Sequence, residues 1–247
     1  MKAINLKKVV SQGSGLIKVI GMIAVALNLV ACVGNAYEEN ADRMDVITIG
    51  DSIFDLNGVI EDTLYSYAGQ TFRNYTKSGA ELSGGALATA IDQQYVDAKN
   101  TDSNINTVLM DGAGNDILIP ATLFDPYGCR TQWYRWNISN RCVRLIEDQY
   151  VSAVNLLNQM AADGVDDVVW LGYYELPRGN ANLTQVLNYG DAYLQYACEV
   201  SGNANCQFVD PRGTIPASQV ESDNIHPTPE GSVNLANQIW PVLEPLL

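Results

Sequence analysis

Residues 45 to 58 read DVITIGDSIFDLNG, an apolar run that stops at Gly50 and hands over to Asp51 and Ser52. Val46, Ile47 and Ile49 suit a buried strand, and a glycine directly after it permits a sharp turn. A serine in that place can present its hydroxyl beyond the carboxyl end of the strand. The plainer reading makes Ser52 a turn or helix-cap residue.

Outward from this stretch, four further short apolar runs follow: TFRNYT (71 to 76), NTVLMD (106 to 111), DVVWLGYY (167 to 174) and CQFVD (206 to 210). Segments of helical period separate them. The clearest runs from Val143 to Ala162, where Val143, Ile146, Tyr150, Val154, Leu157 and Ala161 recur at three- and four-residue steps. Weaker patterns cover residues 59 to 67, 86 to 99, 183 to 200 and 230 to 243. Strands alternating with helices predict an α/β domain whose parallel sheet is covered on both faces. In such sheets functional groups gather beyond the carboxyl ends of the strands. One connection breaks the rhythm: residues 120 to 140, PATLFDPYGCRTQWYRWNISN, form a long aromatic loop of the kind that often carries function.

The chain has 247 residues, and its first 31 read as an export signal: Lys2, Lys7, Lys8 and Lys18 precede or flank an apolar stretch too short to span a bilayer comfortably. The run ends Leu29-Val30-Ala31-Cys32, similar to a bacterial lipobox, which predicts cleavage before Cys32 and acylation of its sulfur. The alternative is cleavage after Ala36, giving a soluble periplasmic or secreted protein. Residues 32 to 44 then read as a tether and 45 to 247 as one domain. The signal holds four of the 14 basic residues and no acid, so the remainder carries ten against 28, a net charge of −18. That surface repels nucleic acid and anionic headgroups, leaving an N-terminal lipid anchor as the expected membrane attachment.

With Cys32 set aside, Cys129, Cys142, Cys198 and Cys206 form an even set that permits three pairings. The nearest-neighbour choice joins Cys129 to Cys142 and Cys198 to Cys206, closing two short loops in an oxidising compartment. Free buried thiols are the alternative. A single histidine and no Cys-x-x-Cys leave no typical zinc site, so neither a structural nor a catalytic zinc is expected.

The single histidine also narrows the search for a base. A serine becomes a nucleophile when a base takes its proton, most often histidine. His226 lies in ESDNIHPTPEG with Asp223 three residues ahead, close enough to fix the imidazole tautomer and stabilise the imidazolium. An acid beside a surface histidine is common, so the pair gains weight only beside Ser52.

Together these residues resemble the SGNH hydrolases, also called GDSL esterases and lipases. GDSI at residues 50 to 53 resembles the first motif block with isoleucine for the usual leucine. NYTKSGAEL resembles the second and DGAGNDIL the third, although Ala113 stands where the pattern has glycine; DNIH resembles the fourth. The resemblance implies a three-layer α/β/α sandwich with a central five-stranded parallel sheet of the flavodoxin-like kind. It also implies Ser52, Asp223 and His226 as catalytic residues, with Ser52, Gly79 and Asn115 as oxyanion-hole donors and no cofactor.

Competing signals are weaker. DSIFDLNG has Ile53 where a calcium loop needs Asp or Asn, and DGAGND lacks the lysine of a phosphate-binding loop. Asp51 and Asp116 read as orienting residues, and Glu175 with Arg178 as a solvated surface pair. Trp133, Tyr134 and Trp136, with Phe124 and Tyr127, form either a wall for an acyl chain or sugar ring beside the nucleophile, or packing for their own loop. The expected function is hydrolysis of short- to medium-chain carboxylic esters. Carbohydrate O-acetyl esterase and lysophospholipase action are narrower alternatives, and an envelope-anchored binding domain is the non-enzymatic one.

Overall fold

A computed structural model describes residues 39–85, 87–177, 181–202 and 205–247; the signal, Cys32 and Arg178 fall outside these. Five strands, β1 (Arg43–Ile49), β2 (Phe72–Asn74), β3 (Thr107–Met110), β4 (Asp167–Leu171) and β5 (Asn205–Val209), form one sheet. Its order is β2-β1-β3-β4-β5 with every neighbouring pair parallel. β1 opens two residues before the expected start of the domain, because Arg43 already pairs with Phe72 and its guanidinium meets the Asp45 carboxylate at 2.8 Å.

Successive residues of a strand face opposite sides of a sheet, and here both sides are buried. Ile47, Ile49, Val108, Met110, Val168 and Trp170 pack beneath three helices, α3 (Ile91–Thr101), α5 (Asn140–Ala162) and α6 (Thr184–Val200). Val46, Leu109, Val169 and Leu171 pack against α2 (Val59–Ala68) and α7 (Pro229–Leu243) on the other side. The result is the three-layer α/β/α sandwich. Burial on both faces explains why the strands are near-continuous apolar runs rather than alternating ones.

Two helices complete the chain. α1 (Ser52–Asp55) directly follows β1, and α4 (Asn115–Leu123) follows β3 and includes Pro120. Proline normally ends a helical pattern, which is why the sequence places Pro120 in the long loop; instead the helix continues through it to Leu123. The rest of that loop is closed by a disulfide between Cys129 and Cys142, and a second joins Cys198 to Cys206. Among the described residues no helix is long and apolar enough to cross a membrane.

Candidate active site

The strand order reverses between β1 and β3, and a parallel sheet of this order opens a crevice at that point, beyond the strands' carboxyl ends. Ser52 leaves β1 and Asn115 leaves β3 on either side of it. Gly50 takes φ +155° to turn the chain, and Asp51 caps α1 by accepting from the Ile53 N–H at 3.0 Å. Ser52 is therefore the first residue of a helix, where backbone N–H groups have no acceptor within the helix itself.

The histidine arrives from a distant part of the chain. Ser52 Oγ lies 2.8 Å from His226 Nε2, and His226 Nδ1 lies 2.5 Å from Asp223 Oδ2. The other oxygen, Asp223 Oδ1, accepts from the N–H groups of Ile225 at 2.8 Å and His226 at 3.0 Å. Partial burial pushes the Asp223 carboxyl up, but these hydrogen bonds and the facing imidazole outweigh it and hold the group at about 2. It stays an anion against which an imidazolium can form. The loop around His226 is held by the Tyr174 hydroxyl, which donates to the Ile225 carbonyl, and by Asn57, whose amide reaches the Pro227 carbonyl at 3.2 Å.

A cleft of about 750 Å³ opens over these groups, lined by Ser52, Asp223 and His226 together with Gly79 and Asn115. Leu56, Leu87, Leu118, Ile119 and Ile225 add apolar surface to it, and Lys77, Thr89 and Thr122 polar surface. Gly79 takes φ +83° in a turn after β2 that Asp55 pins by accepting from the Ser78 N–H at 2.7 Å and the Ser78 hydroxyl at 2.5 Å. Asn115 donates one amide hydrogen to the Ala80 carbonyl at 2.9 Å, which orients its side chain and ties it to the same turn. Three segments that resemble motif blocks thus converge on the serine from three different strands.

Beneath the cleft lies a buried polar scaffold that the sequence did not single out. The Asp51 N–H donates to Asp111 Oδ1 at 2.7 Å, and the Gln94 side chain brackets Gly50, accepting from its N–H at 2.7 Å and donating to its carbonyl at 3.0 Å. The Tyr173 hydroxyl donates to Asp51 Oδ2 at 2.6 Å and accepts from the Gly114 N–H at 3.0 Å. The turn that carries the serine is so joined to the turn that carries Asn115. Burial first, and the nearby Asp51 carboxylate second, push the Asp111 carboxyl well up. Asp116 accepts from the Leu82 N–H at 2.8 Å.

Trp133, Tyr134 and Trp136 are not brought beside Ser52. None of them lines the cleft, and their side chains are largely exposed. The Cys129–Cys142 bond and the Asp125–Arg135 ion pair fix the base of their loop and turn its tip to solvent. The wall beside the nucleophile comes instead from aliphatic residues of α4 and of the stretch after Gly79. Glu175 is exposed, and no described group of His, Cys, Asp and Glu could hold a metal ion.

Burial also gives stability a pH dependence. It raises Asp116 and Asp191 to about 7 each and Glu61 to about 8. These groups keep their protons in the folded chain at pH values where the unfolded chain has lost them, so folding binds protons between about pH 4 and pH 8 and stability falls as pH rises through that window. Asp223, shifted the other way, loses its stabilising contribution only as pH falls below about 4. The Tm should therefore be several degrees higher near pH 5 than near pH 8, and Glu61→Gln should flatten the slope. A Tm that climbs with pH across that range would show the buried acids to be ionised.

No family model matches the chain, and no curated protein matches it. Solved structures do. One is a protein of Slackia heliotrinireducens described as a candidate SGNH hydrolase, 15% identical, with a TM-score of 0.56 over 80% of this chain and 97% of that one. A second is a catalytic mutant of Axe2, an acetylxylan esterase from Geobacillus stearothermophilus, 13% identical, with a TM-score of 0.55 over 80% and 93%. A third is the lipase Lip_vut3 from a goat rumen metagenome, 11% identical, with a TM-score of 0.56 over 80% and 96%. At such identities the likeness is one of fold, and it extends over nearly the whole of each of those chains.

Proposed function

We propose that this chain is a serine ester hydrolase of the SGNH type, acting on carboxylic esters of short to medium acyl chains. The observation that carries the proposal is the unbroken line Ser52 Oγ, His226, Asp223 at 2.8 and 2.5 Å, opening on a cleft that Gly79 and Asn115 share. In this reading His226 takes the Ser52 proton as Oγ attacks the ester carbonyl, and then gives it to the departing alcohol. Water attacks the acyl-enzyme with His226 again as base, releasing the acid and restoring Ser52. The N–H groups of Ser52 and Gly79 and the second amide hydrogen of Asn115 stabilise the oxyanion. Each such donor is worth about 100- to 1,000-fold in rate.

The aliphatic side chains of the cleft favour an acyl chain over a bare acetyl group, since each buried methylene contributes about 0.8 kcal/mol. The fold shared with an acetylxylan esterase and with a lipase supports ester chemistry and leaves two narrower substrates, O-acetyl glycans and lysophospholipids. Paired cysteines support the export that residues 1 to 31 suggest. The test is turnover of p-nitrophenyl acetate, butyrate, octanoate and palmitate, with acetylated xylan alongside. The expected outcome is hydrolysis with kcat/KM peaking at butyrate or octanoate. Acetate release from xylan without a chain-length optimum would move the substrate to glycans, and folded protein inert on all five would sink ester hydrolysis.

A further inference from the structure

Tyr173 follows β4, a strand that carries none of the segments resembling motif blocks, yet its buried side chain bonds to two of them. Its hydroxyl donates to Asp51 Oδ2 at 2.6 Å, just before Ser52, and accepts from the Gly114 N–H at 3.0 Å, just before Asn115. Burial first, and the Asp51 carboxylate second, push that hydroxyl well up from the ordinary tyrosine value, so it keeps the proton it donates. The tyrosine backbone is fixed from behind, because Asp191 on α6 accepts from its N–H at 3.2 Å.

The turn after β3 is fitted to this contact. Gly114 has φ −67° and ψ −44°, values open to any residue, so its own backbone does not call for glycine. The tyrosine does: a Cβ at Gly114 would lie 2.3 Å from Tyr173 Cζ and 2.5 Å from its oxygen. Ala113 beside it takes φ +79°, a left-handed conformation that alanine rarely adopts and that persists only where surrounding contacts impose it. It stands where the SGNH pattern has glycine, which would take that φ freely. The turn that delivers Asn115 is therefore held by a contact from another strand rather than by the preference of its own residues.

We infer that Tyr173 is a positioning residue for the oxyanion hole, its hydroxyl setting the spacing between the turn that carries Ser52 and the turn that carries Asn115. Tyr173 does not line the cleft, so it takes this role, which rests on the ester-hydrolase reading, without touching substrate. Attack on the carbonyl leaves negative charge on oxygen, and Asn115 stabilises it only when its second amide hydrogen lies at hydrogen-bond distance from that oxygen. The bound ester carries no such charge, so a shift of the turn costs kcat and leaves KM. A misplacement of about 1 Å can cost about 100-fold.

Tyr173→Phe in the full chain removes the hydroxyl and keeps the ring against Gly114. On p-nitrophenyl butyrate its kcat should fall about 10- to 100-fold, with KM within about 2-fold of wild type. The loss should run through Asn115, so in an Asn115→Ala background the same substitution should cost less than about 3-fold. Tyr95→Phe is the control: it deletes another buried hydroxyl, bonded to Asp163 at 3.2 Å outside the cleft, and should leave kcat unchanged whatever its effect on Tm. Should Tyr173→Phe not fold, Gly114→Ala presses ring and turn apart from the other side and should show the same loss of kcat at constant KM. A Tyr173→Phe protein with wild-type kcat, a loss carried by KM, or losses that multiply with those of Asn115→Ala would overturn the role of Tyr173 alone. Wild type inert on esters would overturn the hydrolase reading and this role with it.

Discussion

Ser52→Ala should leave a folded protein whose kcat on p-nitrophenyl butyrate is lower by on the order of 10⁶-fold, the loss seen when a triad nucleophile is removed. The side chain is small, 8% exposed, and bonded to His226 at 2.8 Å, so its hydroxyl can be deleted without a steric cost. His226→Ala should lose about as much, and the double variant little more, because nucleophile and base act as one unit. Asp223→Asn should cost on the order of 10⁴-fold, since the amide presents the imidazole with the wrong tautomer. A Ser52→Ala protein that keeps a tenth of wild-type turnover would show that the chemistry lies elsewhere.

Gly50→Ala should do its damage through structure. A Cβ there would lie 1.9 Å from Asp111 Oδ1 and 3.3 Å from the Phe54 ring, at a φ of +155° that side chains rarely adopt. Backbone strain and overpacking together predict a loss of about 3 to 5 kcal/mol, or a fall of about 10 °C in Tm. Asp111 holds the Asp51 N–H, so the residue before the nucleophile shifts with it and activity falls beyond what melting explains. Gly69→Ala is the control: φ is +65° with open space around the Cβ, so it carries strain without a clash and should cost about 1 kcal/mol. Equal effects at the two glycines would refute the role given to Asp111.

The sheet was legible because each strand is an apolar run flanked by polar residues, and α5 because its apolar stripe recurs along most of its 23 residues. α1 was hidden by its four residues, too few to show a period, and the end of α4 by Pro120. That Ser52, Asp223 and His226 meet could be anticipated because one histidine restricts the choice and Gly50, two before the serine, marks a turn. Gln94 could not. It is a polar residue in a helix like its neighbours, and only the tertiary fold shows that it is 1% exposed and spans Gly50. Tyr173 was counted into the fourth strand, where an aromatic needs no further reason. The position of the exposed tryptophans could not be read, because composition reports their number and not the direction in which their loop turns them.

Ser52 and His226 are 174 residues apart in the chain, and the loop that carries His226 leads into α7. A chain in which β1 through β4 have formed but this loop has not docked therefore holds Ser52 without the imidazole beside it. On the proposed function, turnover would need the loop of His226 docked on the turn after β1, so activity would report that these two distant segments have come together.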